Sequence, residues 1–268
     1  MKLLAPDYYL QFRCIAGRCR HSCCKGWEID IDETSLKRFQ SLQLPHISLE
    51  NEPHFILKEG DRCPYLQEDG LCAMILEYGE EMLCNICRDH PRYRNFWTGF
   101  AEVGLGLSFE AAARLLLRQE KPLSLVVLGE CDEEGVLLQK EGDDPLCGTP
   151  ADPVLLTDEE DEQWLLSVRS QLLKEAASVE DPVKARLKEY LIFRHLADAL
   201  YDGLLEERIA FIEAAYGELC SRLDRCPSED EAARLEAVRS WSEYLEYNEE
   251  RRQALLQSAA EGYTKRTE

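Results

Sequence analysis

No stretch of this chain holds the roughly 20 apolar residues that a membrane-spanning helix requires. The apolar run after Lys2 covers only Leu3 to Ala5 before Pro6 and Asp7. The expectation is a cytoplasmic chain without a secretory leader and without a membrane partner. Positive charge is also short, with 31 Lys and Arg against 52 Asp and Glu and a formal net charge of -21. Such a surface repels nucleic-acid backbones, so nucleic acid is not an expected partner. The deficit is uneven: residues 1–92 carry 11 basic against 15 acidic side chains, a difference of -4, and the rest 20 against 37, a difference of -17. Histidine is scarce at five, and a Ser/His/Asp triad cannot be argued from so few without geometry. There is no GxGxxG and no phosphate-cradling GxxxxGK[ST] loop, which removes a nucleotide site of the usual kind. Gly99, Gly104 and Gly106 near Glu102 form only a weak glycine-rich pattern. The Cys-x3-Cys-x2-Cys signature of radical enzymes is missing as well. Glycine and proline are not enriched, so a mostly folded chain is the default.

What the chain does have is cysteine. Eight of its twelve lie between Cys14 and Cys87: Cys14, Cys19, Cys23, Cys24, Cys63, Cys72, Cys84 and Cys87. Packing does not ask for this, because a buried cysteine serves as a small hydrophobe anywhere in a core. A cytosolic chain argues against a disulfide framework. Clustered thiols on short spacers suit a metal, since neighbouring thiolates turn toward one centre with little loop-closure cost. Cys14, Cys19 and either Cys23 or Cys24 can supply three ligands, one of the adjacent pair facing the site and the other the core. Cys63, Cys72, Cys84 and Cys87 can supply more. Zinc and a 4Fe–4S cluster would each take four thiolates, and spacing does not separate them. His21 and His90 are further candidates, though a hydrogen-bonded or exposed role is the plainer reading of both. Arg88 and Arg92 suit either a carboxylate or core-edge ion pairs. Trp27 suits packing. Cys131, Cys147, Cys220 and Cys226 are scattered and read as ordinary thiols.

The expected fold is mainly α, with a small irregular cysteine-rich α+β N-terminal region and a C-terminal helical bundle. Residues 1–140 form the expected metal-binding domain, and 154–268 a mainly helical acidic domain. Aromatic Tyr8, Tyr9 and Phe12 are expected to cover the thiols as a lid or strand. Asp32 or Thr34 caps a helix ended by Pro45. Residues 95–109 read as strand or loop and 110–119 as a helix with Ala112, Leu115 and Leu116 on its apolar face. Leu123–Leu128 and Val136–Lys140 suggest a hairpin. The Gly- and Pro-rich segment 141–153 marks the main boundary. Helices follow at 158–177, from Asp181-Pro182 to about Leu205 with a break at Gly203, and at 207–223. Ser228 and Glu231 have capping-box spacing for a last helix reaching about Ala260.

Three motifs carry a resemblance. Cys19-x3-Cys23-Cys24-x2-Trp27, Cys63-Pro64-x5-Gly70-Leu71-Cys72 and Cys87-x3-Pro91-Arg92 resemble the flagellin lysine-N-methylase family, within the wider cysteine-rich zinc/iron-chelating proteins. Pro6-Asp7-Tyr8-Tyr9 with Phe12 and Cys14 fits too. The similarity is strong over residues 6–92, returns weakly at 107–117 and then fades. It implies methyl transfer from S-adenosylmethionine to lysines of flagellin or another lysine-bearing protein, with a cysteine-held centre, iron–sulfur or zinc. Phe109 stands where the family usually has another cysteine. The other reading is a non-enzymatic zinc- or iron–sulfur-binding structural or interaction protein.

Overall fold

The computed structural model describes residues 1–138 and 149–267, with side chains through Glu261. The chain divides into a smaller unit, residues 13–92, and a larger one made of residues 1–12 and 93–268. The fold is mainly α, with a mixed α+β N-terminal region that holds most of the cysteines and a helical C-terminal region. Gln139 and Lys140 of the expected hairpin, Cys147, and most of the Gly/Pro segment 141–153 lie outside the described residues.

The larger unit opens with strand β1 (Lys2–Pro6), whose Leu3, Leu4 and Ala5 are buried. Next in the chain, the smaller unit begins with irregular turns and then α1 (Glu33–Ser41). Asp32 caps α1, its Oδ1 accepting from Ser35 N at 2.9 Å, as the sequence signals. The helix stops at Ser41, short of Pro45, and buries Phe39. Short strands β2 (Ile47–Ser48) and β3 (His54–Phe55) pair antiparallel. Two brief helices, α2 (Ala73–Tyr78) and α3 (Asn85–Asp89), complete the unit. Its core is small: Ile29, Ile31, Phe39, Phe55, Leu66 and Met74, together with buried Cys63 and Cys84. Thiols are thus part of the core itself. Gly17 and Gly70 let two turns meet, because a Cβ at Gly17 would lie 2.5 Å from Asp69 O.

The larger unit resumes with β4 (Arg92–Trp97) and β5 (Phe100–Leu105), so strand rather than loop fills the Gly- and aromatic-rich segment. Then come α4 (Glu110–Leu117), β6 (Leu125–Glu130) and β7 (Thr149–Pro150). The sheet order is β4-β5-β1-β6-β7, with β1 parallel to β5 and antiparallel to β6. The expected partner of β6, Val136 onward, contributes only the bridge Cys131–Leu137 among the described residues; β6 pairs with β1 and β7 instead. Tyr8, Tyr9 and Phe12, expected to cover the thiols, pack in this unit's core.

Helices α5 (Glu160–Ala177), α6 (Pro182–His195), α7 (Ala199–Asp202), α8 (Leu205–Leu223), α9 (Glu231–Leu245) and α10 (Glu249–Thr267) follow. Asp181 caps α6 with Pro182 in its first turn, and Gly203 ends α7 in the left-handed region at φ 71°. Two expectations are corrected. Asp230, not Ser228, caps α9, accepting from Ala233 N at 2.9 Å. The single last helix is two, because Asn248 Oδ1 accepts from Arg251 N at 3.0 Å and starts α10 afresh. Trp241, Tyr190, Phe193, Phe211 and Leu116 fill the core between these helices. Glu102, Glu110, Glu189 and Glu246 are buried in this unit, each with partners. Glu102 holds Arg169 through bonds of 2.6 and 2.8 Å and accepts from Trp97 Nε1 at 3.0 Å. Glu246 accepts from Tyr190 Oη at 3.0 and 3.1 Å, His195 Nε2 at 3.0 Å and Ser242, and pairs with Arg194 Nε at 2.9 Å. A buried charge is tolerable only when it is paired in this way.

Candidate functional site

The thiols of the smaller unit fall into an inner and an outer set. The inner set is Cys24, Cys63, Cys72, Cys84 and Cys87, all in or against the unit's hydrophobic core. Cys84 immediately precedes α3 and Cys87 lies one turn into it, so both reach the same side. Their thiols share a hydrogen bond. The Cys87 thiol and the Cys87 N–H both lower Cys84, against burial, while the same hydrogen bond and burial raise Cys87. The start of α3 is fixed to α1 by Asp32, whose Oδ2 accepts from Asn85 N at 2.8 Å. Cys63 N donates to Cys24 O at 2.9 Å, which ties the first cysteine segment to the second. The Leu66–Cys72 bridge closes the knuckle between Cys63 and Cys72. Burial pushes Cys63 up to about 12, with negative charge at Cys24, Cys72 and Cys84 adding to it. Cys72 is raised by burial against the N–H groups of Ile75 and Met74. Each of these thiols therefore disfavours a negative charge on the next. A cluster of desolvated thiols stays protonated unless a cation compensates the charge.

The outer set is Cys14, Cys19 and Cys23. Cys14 and Cys23 are exposed and Cys19 is half-buried. Cys14 Sγ accepts from Ala16 N at 3.4 Å, and Cys19 Sγ donates to His21 O at 3.1 Å. Adjacent Cys23 and Cys24 join the two sets. Their thiols share a hydrogen bond that raises Cys23 and, with help from Ser22, brings Cys24 to about 7. Cys24 packs against the core while Cys23 is exposed. Among the described residues, no group of three or more His, Cys, Asp or Glu side chains is arranged to hold a metal ion.

The flanking candidates have other duties. Trp27 stacks on His90 with centroids 4.9 Å apart and planes 15° from parallel, and its Nε1 donates to Cys23 O at 2.8 Å. Burial brings His90 down to about 4, so it is neutral near pH 7. Arg88 bonds the Asn85 side chain, and Arg92 Nη1 reaches the Arg88 and Asp89 carbonyls at 3.4 Å. Those two arginines stiffen the turn after α3. Cys131 is buried in the larger unit, and Cys220 and Cys226 are half-buried there.

Sequence reasoning missed the polar centre around Glu246. Its partners Tyr190, Arg194, His195 and Ser242 come from α6 and α9, and no short motif joins them. The one available signal was weak: the glycines at 104 and 106, where side chains from distant segments approach the backbone.

Part of this chain is similar to known proteins. It is 29% identical over 126 aligned positions to the lysine-N-methylase of Salmonella typhimurium, covering 41% of this chain and 31% of the relative. Salmonella choleraesuis has a lysine-N-methylase with the same identity and coverage. The flagellar biosynthetic protein FliU of Salmonella muenchen is 27% identical over 126 positions, with 75% of its length covered. The chain thus spans about a third of the length of the two methylases. No protein-family model and no solved structure matches it.

Proposed function

We propose that this chain is a lysine N-methyltransferase of the flagellin-methylase type. On this reading S-adenosylmethionine is its donor and flagellin, or another lysine-bearing protein, its substrate. The smaller unit carries a thiolate-held centre, iron–sulfur or zinc. The observation that carries the reading is the inner thiol set, drawn from three separate segments into one core beside two thiol–thiol hydrogen bonds. The all-sulfur donor set suits zinc or iron–sulfur and does not suit magnesium or calcium. Cys24, Cys63, Cys72, Cys84 and Cys87 would hold the centre, with Cys14, Cys19 and Cys23 completing it or holding a second one. A cation there would reverse the electrostatics, turning mutually repelling thiolates into ligands. The partial similarity to lysine-N-methylases supports the activity.

S-adenosylmethionine, when bound, supplies a methyl group on a sulfonium. The lysine amine must arrive neutral and aligned for attack, which demands a site that favours loss of the amine proton. The test is coexpression with flagellin, followed by intact-mass analysis and peptide mapping. The reading predicts lysine residues heavier by one or more methyl groups, dependent on this chain. Unmodified flagellin with a folded, metal-loaded protein would favour the second reading, a metal-binding structural protein. The observation behind that alternative is Phe109, which stands where the resemblance implies a further cysteine.

A further inference from the structure

The larger unit is acidic, and most of its arginines sit on carboxylates. Arg118 pairs with Glu231, Arg186 with Glu189, Arg208 with Asp198 and Asp202, and Arg239 with Glu236 and Glu243. Three arginines at one end of the helical part do not. Arg222 lies in the last turn of α8, Arg225 just beyond it, and Arg251 in the first turn of α10. None of the three has an ion pair among the described residues. Yet Arg222 and Arg251 share one ring. Their guanidinium carbons lie 5.5 and 3.8 Å from the centroid of Tyr244 on α9, which is 44% exposed. The neighbouring acids are engaged elsewhere or out of reach. Asp224 bonds Lys184 at 2.6 Å, and Glu249 pairs with Arg252. Glu218, one turn before Arg222, and Glu250, next to Arg251, form no ion pair among the described residues.

A cleft of about 370 Å³ opens beside this cluster, lined by Arg222, Arg225 and Ala237. No carboxylate is among its lining residues. Hydrogen bonds use little of what the arginines offer. Arg225 Nε donates to Ser221 O at 3.0 Å and Arg251 Nη1 to Tyr244 O at 3.4 Å, while Arg222 donates to no group among the described residues. A guanidinium carries five N–H donors, so most of each fork is unused. Helix dipoles account for part of the arrangement only. A cation in the last turn of α8 suits that negative end, but Arg251 is in the first turn of α10, where positive charge is unfavourable.

Gathering like charges costs free energy that a bound anion recovers. We propose that Arg222, Arg225 and Arg251 form a binding site for a small phosphoryl-bearing anion in the cleft between α8 and α9. A carboxylate is satisfied by one guanidinium fork, whereas a phosphoryl group presents acceptor oxygens on several sides and more than one negative charge. Three converging forks therefore suit phosphate better. The volume is that of a small-molecule site and not of a docking face for a folded partner. Tyr244 holds Arg222 and Arg251 against its ring, which reduces the ordering that binding must impose on them.

The test titrates inorganic phosphate into the full-length protein by calorimetry, in a fixed sodium chloride background above neutral pH. The wild type is expected to bind phosphate saturably at a single class of site. The double variant R222Q/R225Q should raise the half-saturating concentration about tenfold or more, the loss expected for hydrogen bonds to a charged acceptor. Arg222→Lys, which keeps the charge and loses the fork, should bind more weakly than the wild type and more tightly than the double variant. Lys37→Gln removes an exposed positive charge from α1 of the smaller unit and should bind as the wild type does. Arg222 is half-buried and Arg225 exposed, so the variants should fold, as circular dichroism will show. A second measurement needs no variant. Modification by an arginine-specific dicarbonyl, mapped by mass spectrometry, should be slowed by phosphate at Arg222 and Arg225 but not at exposed Arg118. A wild type without saturable binding would overturn the proposal, as would a double variant that binds like the wild type. Equal protection of all three mapped arginines would overturn it too.

Discussion

At the scale of single residues, two kinds of side chain govern this protein, and they differ in how visible they are in sequence. The cysteines announce themselves by crowding, and their division into inner and outer sets turns on one adjacent pair, Cys23 and Cys24. Glu246 announces nothing. Its partners stand at ordinary helical spacings, Tyr190 with Arg194 and Ser242 with Glu246, which in sequence look like any solvated helix face. Only the packing of α6 against the end of α9 shows that these groups are buried. Removing Glu246 strands Arg194, His195, Tyr190 and Ser242, so Glu246→Ala should cost about 3–5 kcal/mol, read by urea denaturation. The sign of the pH dependence follows from its environment. Burial raises the Glu246 carboxyl, but Arg194 and the His195 and Ser242 hydrogen bonds overcome this and hold it below its usual range. Its contribution is therefore complete above the unfolded-state value of about 4.3 and is lost as pH falls through the lower folded value. Glu246→Gln should flatten that acid limb of the stability profile. An unchanged limb would show that the carboxylate is not ionised in the folded protein.

Secondary-structure elements were legible in proportion to their length and their caps. The helix after Asp32 and the one after Asp181-Pro182 carry side-chain acceptors at the right place, and both begin where these residues say. The short pieces of the smaller unit were not legible. Strands of two residues and helices of five or six have no periodicity to read, and they exist because distant groups hold them. Asp32 is the clearest such tie, capping α1 with one oxygen and holding the first residue of α3 with the other. Asp32→Ala should destabilise the smaller unit by about 1–2 kcal/mol through the lost cap. It should also speed hydrogen exchange at the Asn85 amide, next to Cys84. Asp32→Asn should lose less, because its single amide oxygen still serves as one of the two acceptors. Exchange at Asn85 unchanged in the alanine variant would contradict this account of how the thiol pair of α3 is positioned. Gly17→Ala should cost about 1–3 kcal/mol by overpacking against the Asp69 carbonyl.

At the scale of the whole chain, charge and thiol content are divided along the sequence. Residues 93–268 carry a difference of -17 and residues 1–92 one of -4, with 31 basic and 52 acidic side chains in all. If the substrate is a lysine-bearing protein, the acidic part attracts it. Its association rate should then fall as ionic strength rises, once folding is shown to be unchanged across the salt series. A flat rate would leave the charge a solubilising role only. The smaller unit has a modest apolar core that includes cysteine, and units of this size commonly lean on a metal or cross-links for stability. A thiolate-held centre would supply that folding energy, and the most direct measurement is metal content. The protein is purified anaerobically, and iron, sulfide and zinc are counted per chain in the wild type and in Cys63→Ser, Cys84→Ser and Cys220→Ser. The account predicts a metal bound at near-stoichiometric level in the wild type and in Cys220→Ser, and largely lost, with lower soluble yield, in the other two. Absence of metal from the wild type, or equal content in all four proteins, would contradict it.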